Sequence, residues 1–409
     1  MTQAEAMEKL KKPGNVFLTG PPGSGKSYVT NQYVQWLLSN GRMPAVTAST
    51  GIAALQVNGR TLHSWSGVRN DNELTSQDMK DICNNYFVKK TITNTDVLII
   101  DEISMVSPRL LEIVSAIAIR VMGVNEPFGG IKVVAVGDFF QLPPVWKGSN
   151  PPYAFESPVW QSLNFTTCYL TEQHRTDDNM FVEVLRGIRN GTLTEEQKQV
   201  LRDRMVDDVD GIDAIRLDTH NERVDKINDS FLFMQEGVPK TYVMETGGNE
   251  KLVPMLKKSC MSPERLILKV GTKVMFTKND TEMRWVNGTR GTVTELHDNK
   301  VYVQVKDATF IVLPVPWKFT EGYGNNAVSK AYISQIPLRL AYAITIHKSQ
   351  GMTLDSAIID ATRSFSCGHV YVAVSRVRSL SGIHFQGKLT QGMFAVDKRV
   401  QAFDSSLPR

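Results

Sequence analysis

The sequence predicts an α/β protein: two doubly wound parallel-sheet units, the first with a small insertion and the second interrupted by a block of short strands. Three observations carry this. Short apolar runs alternate with helical patterns through the first 175 residues, and a glycine-rich turn joins the first run to the first helical pattern. After Arg175 the alternation starts again, gives way to closely spaced strand patterns, and resumes near Ala341. Alternating strands and helices fold as a parallel sheet covered on both faces.

Taken in order, 16–19, 44–48, 97–100 and 133–136 read as buried parallel strands. Tyr28, Val29, Tyr33, Val34, Leu37 and Leu38 mark the first helix. Between Leu62 and Thr95 the pattern changes. A polar stretch at 70–76 is followed by Met79, Ile82, Cys83, Tyr86 and Phe87 at helical spacing, which reads as a small insertion. Beyond Arg175, 182–189 is helical, 214–217 a short strand and 221–234 an amphipathic helix. Strand signals follow at 270–276, 291–295, 301–305 and 309–313, with Asn287-Gly288 as a hairpin turn. They suggest a small β-barrel inserted at about 240–331, before strands at 341–344 and 357–360 restore the α/β pattern.

A chain of 409 residues has room for two to four domains. Hydrophobic content of 42% and charged content of 22% are those of an ordinary globular protein. No apolar run reaches membrane-spanning length and no signal peptide leads the chain, so no membrane partner is expected. The net charge of +4 permits nucleic-acid binding without arguing for it. Cys83, Cys168, Cys260 and Cys367 are far apart, which disfavours a zinc site, an iron–sulfur cluster or a disulfide framework. An intracellular, reducing compartment is expected, cytoplasm or nucleoid in a bacterium.

The most specific signal is Gly20-Pro21-Pro22-Gly23-Ser24-Gly25-Lys26-Ser27, between a strand and a helix. This is the P-loop context. Glycines let successive backbone N–H groups converge on phosphate oxygens, and the helix N-terminus adds partial positive charge. Lys26 is expected to reach the terminal phosphates of ATP and Ser27 to ligate Mg²⁺. The strand 97–100 runs into Asp101-Glu102. The first acid suits the hydrated Mg²⁺, and the second suits polarisation of an attacking water. The strand 133–136 runs into Gly137-Asp138-Phe139-Phe140-Gln141-Leu142-Pro143-Pro144, where the amide of Gln141 can touch both a γ-phosphate and a water. Phe139 and Phe140 read as core.

Together these blocks resemble a superfamily 1 helicase, and more narrowly the PIF (petite integration frequency) family of DNA helicases in the 5′→3′ subclass. The resemblance runs from Gln3 to about Leu380. The stretch 47–54, with Thr61-Leu62-His63-Ser64-Trp65, resembles block Ia, 101–105 block II and 137–145 block III. Glu126-Pro127-Phe128-Gly129-Gly130-Ile131 resembles the end of the family's signature segment. Block IV is matched by 170–175, ending in Arg175, block V by 345–355 and block VI by 370–376, ending in Arg376.

The resemblance implies two RecA-like motor domains: 1–61 with 96–175, and 176–239 with 332–409. It implies a wedge insertion at 62–95 and an SH3-like barrel at 240–331. Arg175 and Arg376 would contact the γ-phosphate as arginine fingers. Gln3 would read adenine, and Gly351 would lie near the nucleotide. Thr50, His63 and Ser64 on one motor, and Thr345, His347, Lys348 and Ser349 on the other, would hold single-stranded DNA. Trp65 suits base stacking or core packing equally. Arg284, Trp285 and Arg290 lie along a possible DNA path, but exposed hairpin charges are the better reading of the stretch.

The implied activity is ATP-dependent 5′→3′ DNA unwinding by a monomer that translocates on single strands. Tailed or forked duplexes are the implied partners. The roles that come with the family are DNA repair, recombination and telomere maintenance. G-quadruplex preference, DNA-induced dimerisation and activity on RNA stay open. The competing reading is a DNA-stimulated ATPase that strips proteins from a strand without efficient unwinding.

Overall fold

The computed structural model describes residues 1–57, 59–68, 74–146, 148, 150–176, 178–282, 284–321, 328–360 and 367–408. Six strands form the first sheet: β1 (Val16–Thr19), β2 (Pro44–Ala48), β3 (Arg60–Thr61), β4 (Val97–Asp101), β5 (Lys132–Val136) and β6 (Thr166–Tyr169). They run in the order β3-β2-β4-β5-β1-β6, and every pair is parallel. All residues of β1 and β2 are buried, as helices on both faces require. The order sets β4, β5 and β1 side by side. Their C-terminal ends therefore bring Asp101, Gly137 and the P-loop to one edge.

Local chemistry explains the helices between. The helix Pro108–Met122 starts at Ser107, whose Oγ accepts from Leu110 N, with proline at its first turn; it stops at Gly123 in the left-handed region. The insertion pattern is two helices, Ser76–Asn84 and Tyr86–Thr93, not one. Asn85 breaks it, because its Oδ1 accepts from Phe87 N and Val88 N and so caps a new start. Tyr86 and Phe87 consequently point to solvent.

The second unit is a five-stranded parallel sheet. Its order is Ala343–Thr345, Ile215–Asp218, Ala357–Asp360, Ile383–Gln386, Met205–Val206. Between its halves the chain forms antiparallel sheets of five, two and three strands. The five- and two-stranded sheets share one core around Tyr242, Leu266, Phe276, Trp285, Val303 and Leu338. This β unit runs past the expected end at 331, because Val328–Gln335 is a single strand and Leu338–Leu340 pairs with Lys273–Phe276. Asn287-Gly288 does form a turn, with Thr289 N donating to Val286 O. It is not a two-residue hairpin: strands Lys273–Phe276 and Arg290–Leu296 are joined by all of 277–289.

The C-terminal helix, Lys398–Ser406, follows the second unit in sequence but docks on the first. Phe403 stacks on Phe155 at 4.3 Å and meets Phe17, Phe139 and Trp160, so apolar burial pulls the chain end back across. No described helix is long and apolar enough to cross a membrane.

Trp65 is a correction to the DNA-contact set. Its side chain is fully buried in the first core, and Nε1 donates to Thr95 Oγ1 at 3.2 Å, so no face of the ring is available for a base. We expect Trp65→Ala to lower stability by about 3–5 kcal/mol in denaturant unfolding. An unchanged unfolding midpoint would show that the ring is not core.

Candidate nucleotide and nucleic-acid site

The P-loop is shaped by close backbone approach. Gly20 has φ +143°, and a Cβ there would lie 2.6 Å from Leu170 O. Gly25, in the left-handed region, opens the helix Lys26–Ser39 without any side-chain cap. The free first turn leaves backbone donors aimed out of the loop. Ser24 Oγ is buried with no hydrogen-bond partner among the described residues. Lys26 Nζ donates to Gly20 O at 2.6 Å and Pro21 O at 3.1 Å, closing the loop on itself. Burial lowers the Lys26 pKa to about 8, against the pull of Asp138, Glu102 and Asp101.

Lys26, Ser27, Asp101, Glu102, Gln141 and Gly351 all line one cleft of about 1010 Å³ between the units. Asp101 accepts from Glu102 N at 2.9 Å, and burial raises its pKa. Glu102 has left-handed backbone (φ 49°, ψ 48°), a strain of about 1–3 kcal/mol for a residue with a side chain. Burial and then Asp101 push its pKa up to about 7, while Arg376 and Lys26 pull it down. A hydroxyl and two carboxyls disfavoured as anions are an oxygen set that a hard divalent cation would relieve. Ser27 and Asp101 therefore fit Mg²⁺. Among the described residues no group of three His, Cys, Asp or Glu forms a self-sufficient metal cage. A cation here would need phosphate and water for its remaining ligands.

Gln3 is ordered, as the first residue of the helix Gln3–Lys11, which a Thr2/Glu5 capping box starts. Its N donates to Glu172 Oε2, and its Nε2 donates to Ser24 O at 3.3 Å, so it lies against the P-loop. Gln173, which sequence reasoning missed, ties the block IV turn to the loop. Its Nε2 donates to Pro22 O, and its Oε1 accepts from His174 N and Arg175 N. Its place directly before His174-Arg175 was the available signal.

Arg175 crosses to the second unit, where Nη1 donates to Ser375 O at 2.5 Å. Arg376 is the C-cap of the helix His369–Ser375. Its Nε donates to Val372 O and its Nη2 to Ser375 Oγ. Burial, then the neighbouring Arg376, lower the Arg175 pKa to about 9. Burial lowers the Arg376 pKa, and Glu102 opposes it. Two neighbouring arginines, Arg376 buried and Arg175 half-buried, make a strong anion site.

The DNA candidates divide. Thr50 Oγ1 accepts from Ala53 N at the start of the helix Gly51–Gln56, and Gly51 lines the cleft. His63 and Ser64 are half-buried on the helix Leu62–Ser66; His347 and Lys348 are half-buried in the turn after Ala343–Thr345. Thr345 and Ser349 are corrected: both side chains are buried. Thr345 Oγ1 accepts from Lys348 N, and Ser349 Oγ donates to Ile346 O, so they brace the turn from inside. Phe139 and Phe140 are core as expected, and Trp285 is buried on Phe276. Arg284 and Arg290 pair with Asp280 and Asp213.

Known proteins resemble this chain in sequence and in fold. Residues 2–199 match the profile described as PIF1-like helicase, and residues 251–296 the profile described as DNA helicase Pif1, 2B domain. The chain is 38% identical to the ATP-dependent DNA helicase Pif1 of Psychrobacter sp. (strain PRwf-1), over 95% of this chain and 68% of that protein. It is 36% identical to the protein of the same name from Bdellovibrio bacteriovorus, over 94% of this chain and 87% of that one. Unliganded Pif1 from Bacteroides sp superposes with a TM-score of 0.86 at 31% identity, over 99% of this chain and 96% of that one. The Bacteroides helicase in complex with ADP-AlF3 and ssDNA superposes at 0.66, with the same identity and coverage. P-loop, paired acids, two arginines and near full-length similarity converge: this chain belongs to the PIF1-like helicase family.

Proposed function

We propose that this chain is an ATP-dependent DNA helicase that translocates 5′→3′ on single-stranded DNA and unwinds duplexes. The observation that carries the reading is one cleft lined by Lys26, Ser27, Asp101, Glu102 and Gln141, with Arg175 and Arg376 held beside it from both units. The names of the relatives and the nucleotide and single-stranded DNA in a solved neighbour support it.

The first RecA-like motor is 1–61 with 96–175, the wedge 62–95, the second motor 176–239 with 341–409, and the inserted β unit, our counterpart of the SH3-like barrel, 240–340. The P-loop amides and Lys26 bind the phosphates of ATP, and Gln3 faces the adenine. Ser27 and Asp101 would hold Mg²⁺, which would supply neutralisation of phosphate charge. Glu102 orients and polarises the attacking water, and Gln141 senses that water beside the terminal phosphate. Arg175 and Arg376 stabilise charge on the transferring group. Because Arg376 belongs to the second motor, hydrolysis depends on the approach of the two motors. Thr50, His63 and Ser64 hold the strand from one side, and His347 and Lys348 from the other, through phosphate contacts that do not read sequence. Tailed and forked duplex DNA as partners, a monomeric working form and an intracellular location belong to the same reading, which leaves G-quadruplex preference and DNA-induced dimerisation open.

Lys26→Ala should abolish ATP turnover. Glu102→Ala should abolish it equally but still bind ATP, as read by fluorescent-nucleotide titration; normal ATPase in either variant sinks the assignment. Chelating Mg²⁺ should stop turnover in the wild-type protein, and turnover in excess EDTA would remove Ser27 and Asp101 from the metal role. A duplex with a 5′ single-stranded tail should be separated while its 3′-tailed counterpart stays intact. DNA-stimulated ATPase with neither duplex separated would favour a protein-stripping translocase.

A further inference from the structure

Behind the nucleotide cleft lies a buried ion cluster that the reading above does not use. Asp138, at the end of β5, is fully buried. Its Oδ1 accepts from Arg189 Nη2 at 3.0 Å and from Phe140 N, and its Oδ2 from Arg189 Nε at 3.3 Å and the Tyr371 hydroxyl at 3.2 Å. Arg189 Nη2 also donates to Asp404 Oδ1 at 3.1 Å, to which the Tyr169 hydroxyl donates. The guanidinium lies over the Phe140 ring at 4.0 Å. Asp138 and Tyr169 belong to the first motor, Arg189 and Tyr371 to the second, and Asp404 to the C-terminal helix.

The cluster is poorly explained as a source of stability. Buried ion pairs break even at best against apolar packing of the same volume, and their best-attested use is to specify register. Here the register is that of the helix His369–Ser375. Its N-cap, Gly368 (φ +85°), comes so close to block III that a Cβ would lie 2.6 Å from Gln141 O. Tyr371 anchors its first turn to Asp138. At its other end Arg175 holds Ser375 O, and Arg376 is braced on Val372 O and Ser375 Oγ. Where this helix sits therefore decides where Arg376 sits. Asp138 also acts on the P-loop side: after burial, it is the strongest influence on Lys26.

We propose that Tyr371 and Arg189 are positioning residues for hydrolysis: clamped on Asp138, they fix the helix His369–Ser375 against block III and so place Arg376 at the terminal phosphate. The inference rests on the ATPase reading and deepens it.

The test compares affinity for ADP with affinity for ADP–aluminium fluoride, both with Mg²⁺, on the full chain. The arginine finger is engaged only by the fluoride, which mimics the transferring phosphoryl group. Tyr371→Phe removes one hydroxyl and keeps the ring, and Arg189→Lys keeps the charge and loses the bidentate geometry. Each should weaken the fluoride complex about tenfold, about 1.4 kcal/mol, and leave ADP affinity at the wild-type value; Arg189→Lys should also lower the melting temperature, because a lysine cannot serve both oxygens of buried Asp138 and Asp404 together. In an Arg376→Ala background neither should cause further loss, because both act through Arg376. Unchanged fluoride affinity, equal loss for both ligands, or a full further loss without Arg376 would each overturn the positioning role. A wild-type protein that binds ADP–aluminium fluoride no more tightly than ADP would instead overturn the ATPase reading beneath it.

Discussion

Taking a cation out of water costs on the order of several kcal/mol unless partners repay it, and around one cleft this chain holds Arg376 buried and Lys26 and Arg175 half-buried, none of them in a salt bridge among the described residues. Lys26 leans on two loop carbonyls, Arg175 on Ser375 O, and Arg376 on its own helix. Two of the carboxylates that face them, Asp101 and Glu102, are themselves pushed toward neutrality by burial, and a third, Asp138, is already committed to Arg189 and Tyr371. A triphosphate with its divalent ion would resolve both imbalances together, since the phosphates would answer the three cations and the metal the acids. The strained backbone at Glu102 and the uncapped helix at Gly25 belong to the same economy of an arrangement completed by its ligand.

The fold exists to hold that imbalance in place. Parallel strands deliver their C-terminal ends to one edge, and the order β4-β5-β1 puts the acids, block III and the P-loop next to each other. The second sheet supplies the helix His369–Ser375 and with it Arg376. On the proposed reading neither motor contains a complete site. Hydrolysis is therefore tied to the relation between the two units, which is what a machine moving along a strand requires.

That relation is not left to Arg175 and Arg376 alone. Phe403 inserts the chain end into the aromatic cluster of the first motor, and Asp404 joins Arg189 beneath it. Apolar packing gives this seam its strength, and the charged cluster gives it one geometry.

Much of this was legible in the sequence, because the P-loop, the acid pair, block III and the two terminal arginines are local strings whose chemistry depends on neighbours a few residues away. The buried strands 16–19 and 44–48 and the helix Asn221–Met234 were legible for the same reason, since periodicity is a local property. Other features were decided only by distant contacts. β6, Thr-Thr-Cys-Tyr, has no apolar run and is a strand because β1 offers it an edge. Asn85 split one helical pattern into two through a cap that hydrophobic spacing does not register. Trp65, Thr345 and Ser349 were assigned by position in a block, whereas burial is set by what packs over them from elsewhere. Arg189, Tyr371, Asp138 and Asp404 are unremarkable one by one, spread over 138–404, and only the meeting of two sheets and a returning helix makes them a cluster.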